Sequence, residues 1–149
     1  MTLAEKRLAL LDELTPIEDP HERFQYIIDR AKNTPPLDPQ YKIPPLLIEG
    51  CTSSLWMYPS QNPATHTCQF RADADSLITK GIATLVCEYY SDATPVEILA
   101  TSTDFLRDVG ITQHLSPNRR NGLANLVSKI HAYATLCAHN PKETAKNLP

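Results

Sequence analysis

No stretch of this chain stays apolar for the roughly 18 residues that a membrane-spanning helix requires, which excludes a transmembrane helix. The first residues also lack the unbroken apolar core of a secretory signal. Met1-Thr2-Leu3-Ala4-Glu5-Lys6-Arg7 mixes acid with base, which is equally unlike an acid-poor transit peptide. The expected address is the cytoplasm, or the interior of an organelle if a leader has been trimmed. An excess of basic charge is missing too. The formal net charge is −3 and the Lys and Arg residues are scattered, whereas nucleic acid rewards a basic stripe. Internal repeats and low-complexity segments are absent. Among Cys51, Cys68, Cys87 and Cys137 there is no Cys-x-x-Cys spacing, so neither a zinc site nor a dithiol redox pair is indicated. A chain of 149 residues in a reducing compartment needs no disulfides, and most of these thiols are expected to be reduced.

What is present suits one globular domain over residues 1–149. A hydrophobic fraction of 42% against 21% charged residues is enough for a single core without staples. Thr2 with Glu5 reads as a capping box, opening a helix to about Leu14 with Leu3, Leu8, Leu11 and Leu14 as its apolar stripe. Asp19-Pro20-His21-Glu22 starts a second helix carrying Phe24, Ile27, Ile28 and Ala31. Five prolines between residues 34 and 45 predict a stiff extended connector. Leu46-Leu47-Ile48 is a short apolar run, Leu55 to Tyr58 reads as a strand closed by Pro59, and residues 65–72 alternate with His66, Cys68 and Phe70 on one face. Then the period turns helical. Asp73 or Asp75 is expected to cap a helix with Leu77, Ile78, Ile82, Leu85, Val86 and Tyr89. Thr94-Pro95-Val96-Glu97 is another capping box, residues 103–108 make a further turn with Gly110 as C-cap, and Ser116-Pro117 opens a last long helix before a polar tail from about His139. The order predicts an α+β fold: about three antiparallel strands with helices packed on one face.

One cysteine differs from the rest in its surroundings. Cys68, Cys87 and Cys137 sit among apolar neighbours at strand or helix spacing, where a thiol serves as a small hydrophobe. Cys51 follows Gly50 in the hydroxyl-rich, non-periodic stretch Cys51-Thr52-Ser53-Ser54. Glycine permits a sharp turn and a close approach there, and loops on a rigid scaffold are where reactive groups are displayed. The five histidines form no signature that would supply a base. Convergence of Cys51, Cys68 and a histidine on a metal is open, but the spacing does not ask for it. Asp73 and Asp75 are more simply capping groups than catalytic carboxylates. Arg119-Arg120 oppose the helix dipole in the first turns of the last helix, which is a reason to look for an acidic partner within the protein or outside it, although a solvated basic corner is the plainer reading. Trp56 reads as a core anchor.

Four blocks resemble one family. They are Glu22-Arg23-Phe24-Gln25-Tyr26-Ile27-Ile28-Asp29 with Pro35-Pro36-Leu37; Gly50-Cys51-Thr52-Ser53-Ser54-Leu55-Trp56; Phe70-Arg71-Ala72-Asp73-Ala74-Asp75 through Gly81; and Ser116-Pro117-Asn118-Arg119-Arg120-Asn121-Gly122-Leu123. In order and spacing, over about residues 18–136, they resemble the SufE family. The second block is similar to its Gly-Cys-x-Ser-x-x-Trp sulfur-acceptor loop.

The resemblance implies a SufE/NifU-like fold and a sulfur carrier in iron–sulfur cluster assembly that is not itself an enzyme. Sulfur would come as a persulfide from a SufS-type cysteine desulfurase onto Cys51, stimulating that enzyme, and pass to a scaffold of the SufBCD kind. Gly50, Ser53, Asp73, Asp75 and Arg119 fall where the family's loop-supporting or partner-facing residues lie. No cofactor is implied, since the pyridoxal phosphate belongs to the desulfurase; nor is nucleic acid or a membrane. Thr52 and Ser54 stand where the family usually has glutamine. The rival readings are a cluster scaffold of the IscU/NifU type, which needs further ligands near Cys51, and a non-catalytic interaction module.

Overall fold

The computed structural model describes residues 2–50, 54–101, 105–108 and 110–139. Local chemistry sets the first helices as expected. Thr2 Oγ1 accepts from the Glu5 N–H (3.1 Å) while the Glu5 carboxylate accepts from the Thr2 N–H (3.3 Å), and this box opens α1 (Leu3–Leu14). Its inward stripe runs through Leu3, Leu10, Leu11 and Leu14; Leu8, expected in it, is 59% exposed. Asp19 caps α2 (Pro20–Lys32), which turns Ile27 and Ala31 inward. The proline-rich connector is not simply extended. It contains two single turns of 3-10 helix, Pro39–Tyr41 and Pro44–Leu46, each with proline in its first turn. There the fixed φ fits and no donor is lost.

Two strands, β1 (Leu55–Gln61) and β2 (Cys68–Ala74), pair antiparallel from Leu55↔Ala74 to Gln61↔Cys68. The third expected strand is reduced to a single bridge, Leu47↔Trp56. Pro59, expected to end β1, lies inside it opposite Phe70. The Phe70 N–H points away from β1 and donates to Ser91 Oγ (3.0 Å). The Pro59–Phe70 pair is therefore a non-hydrogen-bonded one, where a missing donor removes no rung of the ladder. His66, expected on the strand face, sits in the turn with φ +61°.

Ser76 rather than Asp73 or Asp75 caps α3 (Leu77–Tyr90), because β2 continues through Ala74 and moves the first helical turn along. The helix then buries Ile82, Leu85, Val86, Cys87, Tyr89 and Tyr90 against the sheet and its neighbours. Gly81 allows α2 to cross closely, since a Cβ there would lie 2.7 Å from the Ile27 carbonyl oxygen. The Thr94–Glu97 box opens α4 (Pro95–Ala100). After α5 (Phe105–Asp108), Gly110 at φ +79° donates to the Arg107 carbonyl (3.0 Å), as a C-cap should. The long α6 (Pro117–His139) closes the core with Leu123, Leu126, Val127 and Ile130.

The architecture is thus α+β, with helices packed on one face of a small antiparallel sheet. Trp56, expected in the core, is half-buried beneath the Lys42 ammonium, 5.2 Å from the ring centre. Beside it Tyr41 stacks on Tyr58 with centroids 4.1 Å apart.

Candidate functional site

The segment that leads to the Leu55↔Ala74 end of the hairpin lies against α6, where Gly50 approaches Asn121 and Asn125. The Ile48 N–H donates to the Leu55 carbonyl at 2.7 Å, which ties together the residues that flank segment 49–54. Cys51, Thr52 and Ser53 lie outside the described residues; the frame that carries them does not. On the helix side, Asn125 Nδ2 donates to the Glu49 carbonyl at 2.7 Å. Gly50 follows at φ +89°, where a Cβ would come within 2.5 Å of Asn125 Nδ2 and 3.8 Å of Asn121. A residue with a side chain would be both strained and obstructed at this position. On the sheet side, the Asp75 N–H donates to the Ser54 carbonyl at 3.1 Å and extends the β1–β2 ladder by one rung.

Beneath the sheet-side anchor lies a buried charge cluster. Asp73 is 4% exposed. One carboxylate oxygen accepts from Lys42 Nζ (2.9 Å) and the Leu37 N–H (3.0 Å); the other accepts from the Ala74 N–H (2.9 Å) and faces Lys80 Nζ at 3.5 Å. Burial alone pushes this carboxyl's pKa up. The Lys42 hydrogen bond, the two amides and the Lys80 charge outweigh it and hold the group below its ordinary value. Lys80, itself buried, also donates to the Thr34 carbonyl (3.1 Å). Asp73 is therefore a structural strut that ties the proline-rich connector to β2 and α3, and not a helix cap. Asp75 contributes its backbone, and its side chain is exposed. Arg119 is half-buried in the first turn of α6, where its N–H donates to Ser116 Oγ (3.4 Å). None of the ion pairs among the described residues uses it.

The other three cysteines are sealed. Cys68, Cys87 and Cys137 are at most 2% exposed and none is in a disulfide. Burial, with the neighbouring Cys137 thiol, pushes Cys68 up to about 12; burial also raises Cys87 and Cys137. A thiol held neutral and out of reach is neither a nucleophile nor a ready metal ligand. Cys68 stands opposite Gln61, six residues along the hairpin from Ala74, or about 20 Å from the loop end at strand rise. Among the described residues no group of three His, Cys, Asp or Glu side chains is placed to hold a metal ion.

Beside the loop, α6 borders an open groove of about 380 Å³ lined by Glu49, Asn125, Ser128, Lys129 and Ala132. A more apolar hollow of about 220 Å³ adjoins it, involving Pro45, Leu46, Met57, Pro59 and the half-exposed Leu136. Three residues of the frame have no counterpart in the sequence expectations: Lys42, Lys80 and Asn125. Lys80 left a signal, since a lysine within the apolar run of α3 demands a carboxylate partner. Asn125 left none, because a polar residue on an exposed helix face is the common case.

Comparison with known proteins agrees with this architecture. Residues 8–134 match the family model described as SufE, an Fe-S metabolism associated domain. The chain is 34% identical over 118 residues to SufE-like protein 1, chloroplastic/mitochondrial, of Arabidopsis thaliana; this covers 79% of the chain but only 32% of that relative. It is 28% identical over 132 residues to the uncharacterized SufE-like protein RHE_CH01250 of Rhizobium etli, covering 87% of the chain and 89% of the relative. The fold is that of the solution structure of a hypothetical protein from Thermus thermophilus, with a TM-score of 0.71, 17% identity, and coverage of 94% of this chain and all of that one. No helix among the described residues is long and apolar enough to cross a membrane. On the match over residues 8–134, the chain belongs to the SufE family of Fe-S metabolism domains.

Proposed function

We propose that this protein is a sulfur carrier that accepts a persulfide sulfur on Cys51 from a pyridoxal-phosphate cysteine desulfurase and passes it to an iron–sulfur scaffold of the SufBCD kind. In the first step the Cys51 thiolate attacks the outer sulfur of the desulfurase's cysteine persulfide. A bond forms between Cys51 Sγ and that sulfur, the donor's S–S bond breaks, and the desulfurase cysteine leaves as a thiolate. One thiolate enters and one leaves, so no external oxidant or reductant is needed. The protein does not turn over a substrate of its own; it relieves the desulfurase of bound sulfur and so speeds it.

The observation that carries this reading is the contrast between thiols. Three are shut in the core with their pKa raised, while Cys51 follows Gly50 in sequence between two stems that are anchored, one on α6 and one on β2. Gly50 supplies the turn, Asp75 and Asp73 support the far stem, and Ser53 and Arg119 are proposed to face the partner. The cytoplasm is proposed as the site of action, with the organelle interior named for the plant relative as the alternative.

The test is to add the protein to a SufS-type desulfurase with free cysteine and a reductant, and to follow sulfide release. Faster release with protein purified metal-free supports the carrier. Bound iron or zinc that requires Cys51 would favour the scaffold reading, and unchanged release would contradict stimulation.

A further inference from the structure

Of the two stems that hold the loop, one is fastened backbone to backbone by Asp75 and Ser54. The other is tied to the hairpin by the Ile48 N–H and the Leu55 carbonyl, and among the described residues the side chain that fastens it to α6 is that of Asn125. Asn125 lies on the exposed face of α6, 76 positions from the Glu49 carbonyl that its amide reaches at 2.7 Å. Asparagine is among the poorer helix formers, and on that face it gives the helix little; its amide is spent on the loop. Gly50 is fitted to the same side chain, since a Cβ there would collide with Asn125 Nδ2 at 2.5 Å. The carbonyl, the glycine and the amide thus form one interlocked contact immediately before Cys51. The groove that begins at Glu49 and Asn125 is open at this point, so the contact lies at the surface and can be undone without opening the core.

We propose that Asn125 is a positioning residue that latches Glu49 and Gly50, the helix-side stem immediately before Cys51, to α6 in the free protein. The inference rests on the carrier reading for the importance of Cys51, but the latch itself is a property of the free chain and is tested there.

The experiment uses the whole chain with Asn125→Ala and Asn125→Asp. Asp keeps the volume, cannot donate at neutral pH and repels the Glu49 carbonyl. Three quantities are measured: the rate of Cys51 alkylation by iodoacetamide, amide hydrogen exchange over residues 49–54, and the melting temperature. The buried Cys68, Cys87 and Cys137 serve as silent internal controls. Loss of one hydrogen bond is expected to raise the alkylation rate roughly fivefold and to speed exchange in the loop. Melting should shift by no more than about 2 °C, as for a surface substitution. Asn125→Gln, which keeps an amide one methylene further out, should recover part of the restraint. Wild-type alkylation and exchange in both variants would overturn the latch. So would faster exchange spread evenly along α6 with a lowered melting temperature, since that marks a merely structural residue. A wild-type protein that takes no sulfur from a desulfurase, while the variants alkylate faster, would sink the carrier reading and leave the latch standing.

Discussion

Replacing Cys51 by serine is expected to remove the stimulation of a cysteine desulfurase completely, leaving sulfide release at the rate of the enzyme alone. Sulfur exchange needs a thiolate: the nucleophile must attack a sulfur and then hold it in an S–S bond. A serine hydroxyl is not ionised near neutral pH and cannot store sulfane sulfur. No other thiol can take over. Cys68 and Cys137 are shut against each other between β2 and α6, and Cys87 is shut within α3, each with its ionisation disfavoured by burial. Cys87→Ala, which removes a core thiol and leaves the loop untouched, should retain stimulation. Steady-state sulfide release with the two variants side by side makes the comparison. Substantial stimulation by Cys51→Ser would mean that the protein acts by docking alone.

The second large effect is on stability. Asp73→Ala takes the one carboxylate from a site that also holds two ammonium groups, and it leaves the Leu37 amide without its acceptor. Lys42 has a third of its side chain in water and can turn outward, but Lys80 is only 11% exposed and cannot. An abandoned buried charge of this kind costs about 3–5 kcal/mol, and denaturant unfolding of the variant should show it. Asp73→Leu with Lys80→Met should recover much of the loss, because an apolar pair leaves no charge behind.

The same cluster gives a pH dependence of known sign. The Asp73 carboxyl is held below its ordinary value of 3.8 in the folded protein. Its stabilising contribution is therefore complete above that value and is lost as pH falls through it toward the folded-state pKa. Wild-type stability should decline below about pH 4, and the decline should be shallower in the double variant. Because Asp73 underlies the Ala74–Asp75 end of β2, the acid-weakened protein should also lose the sheet-side anchor of the Cys51 loop.

Much of the fold is legible because its signals are local. Thr2 with Glu5, Asp19 with Pro20, and Thr94 with Glu97 each declare a helix start within four residues, and each is found where the sequence puts it. Where local signals tie, the sequence cannot decide. Asp73, Asp75 and Ser76 are all good N-caps, and the choice of Ser76 follows from how far the ladder runs, which depends on β1 pairing through Ala74. Pro59 misleads for a related reason. Whether a strand tolerates proline depends on which way its missing donor would have pointed, and that is fixed by the partner residue, Phe70, rather than by neighbours in sequence.

The site divides the same way. Gly50 and Cys51 stand out by chemistry, as a glycine and a thiol in a non-periodic run. Asp73 stands out by type but not by role, because its partners Lys42, Lys80 and Leu37 are brought to it only by folding. Asn125 is invisible, since its meaning lies in a carbonyl 76 positions away.

The most direct measurement is the intact mass of the protein after incubation with a SufS-type desulfurase and free cysteine, followed by peptide mapping with and without a reductant. The account predicts a gain of sulfur that a reductant removes, located on the peptide containing Cys51 and missing from Cys51→Ser. No gain with an active desulfurase, or a gain located on Cys68, Cys87 or Cys137, would contradict it.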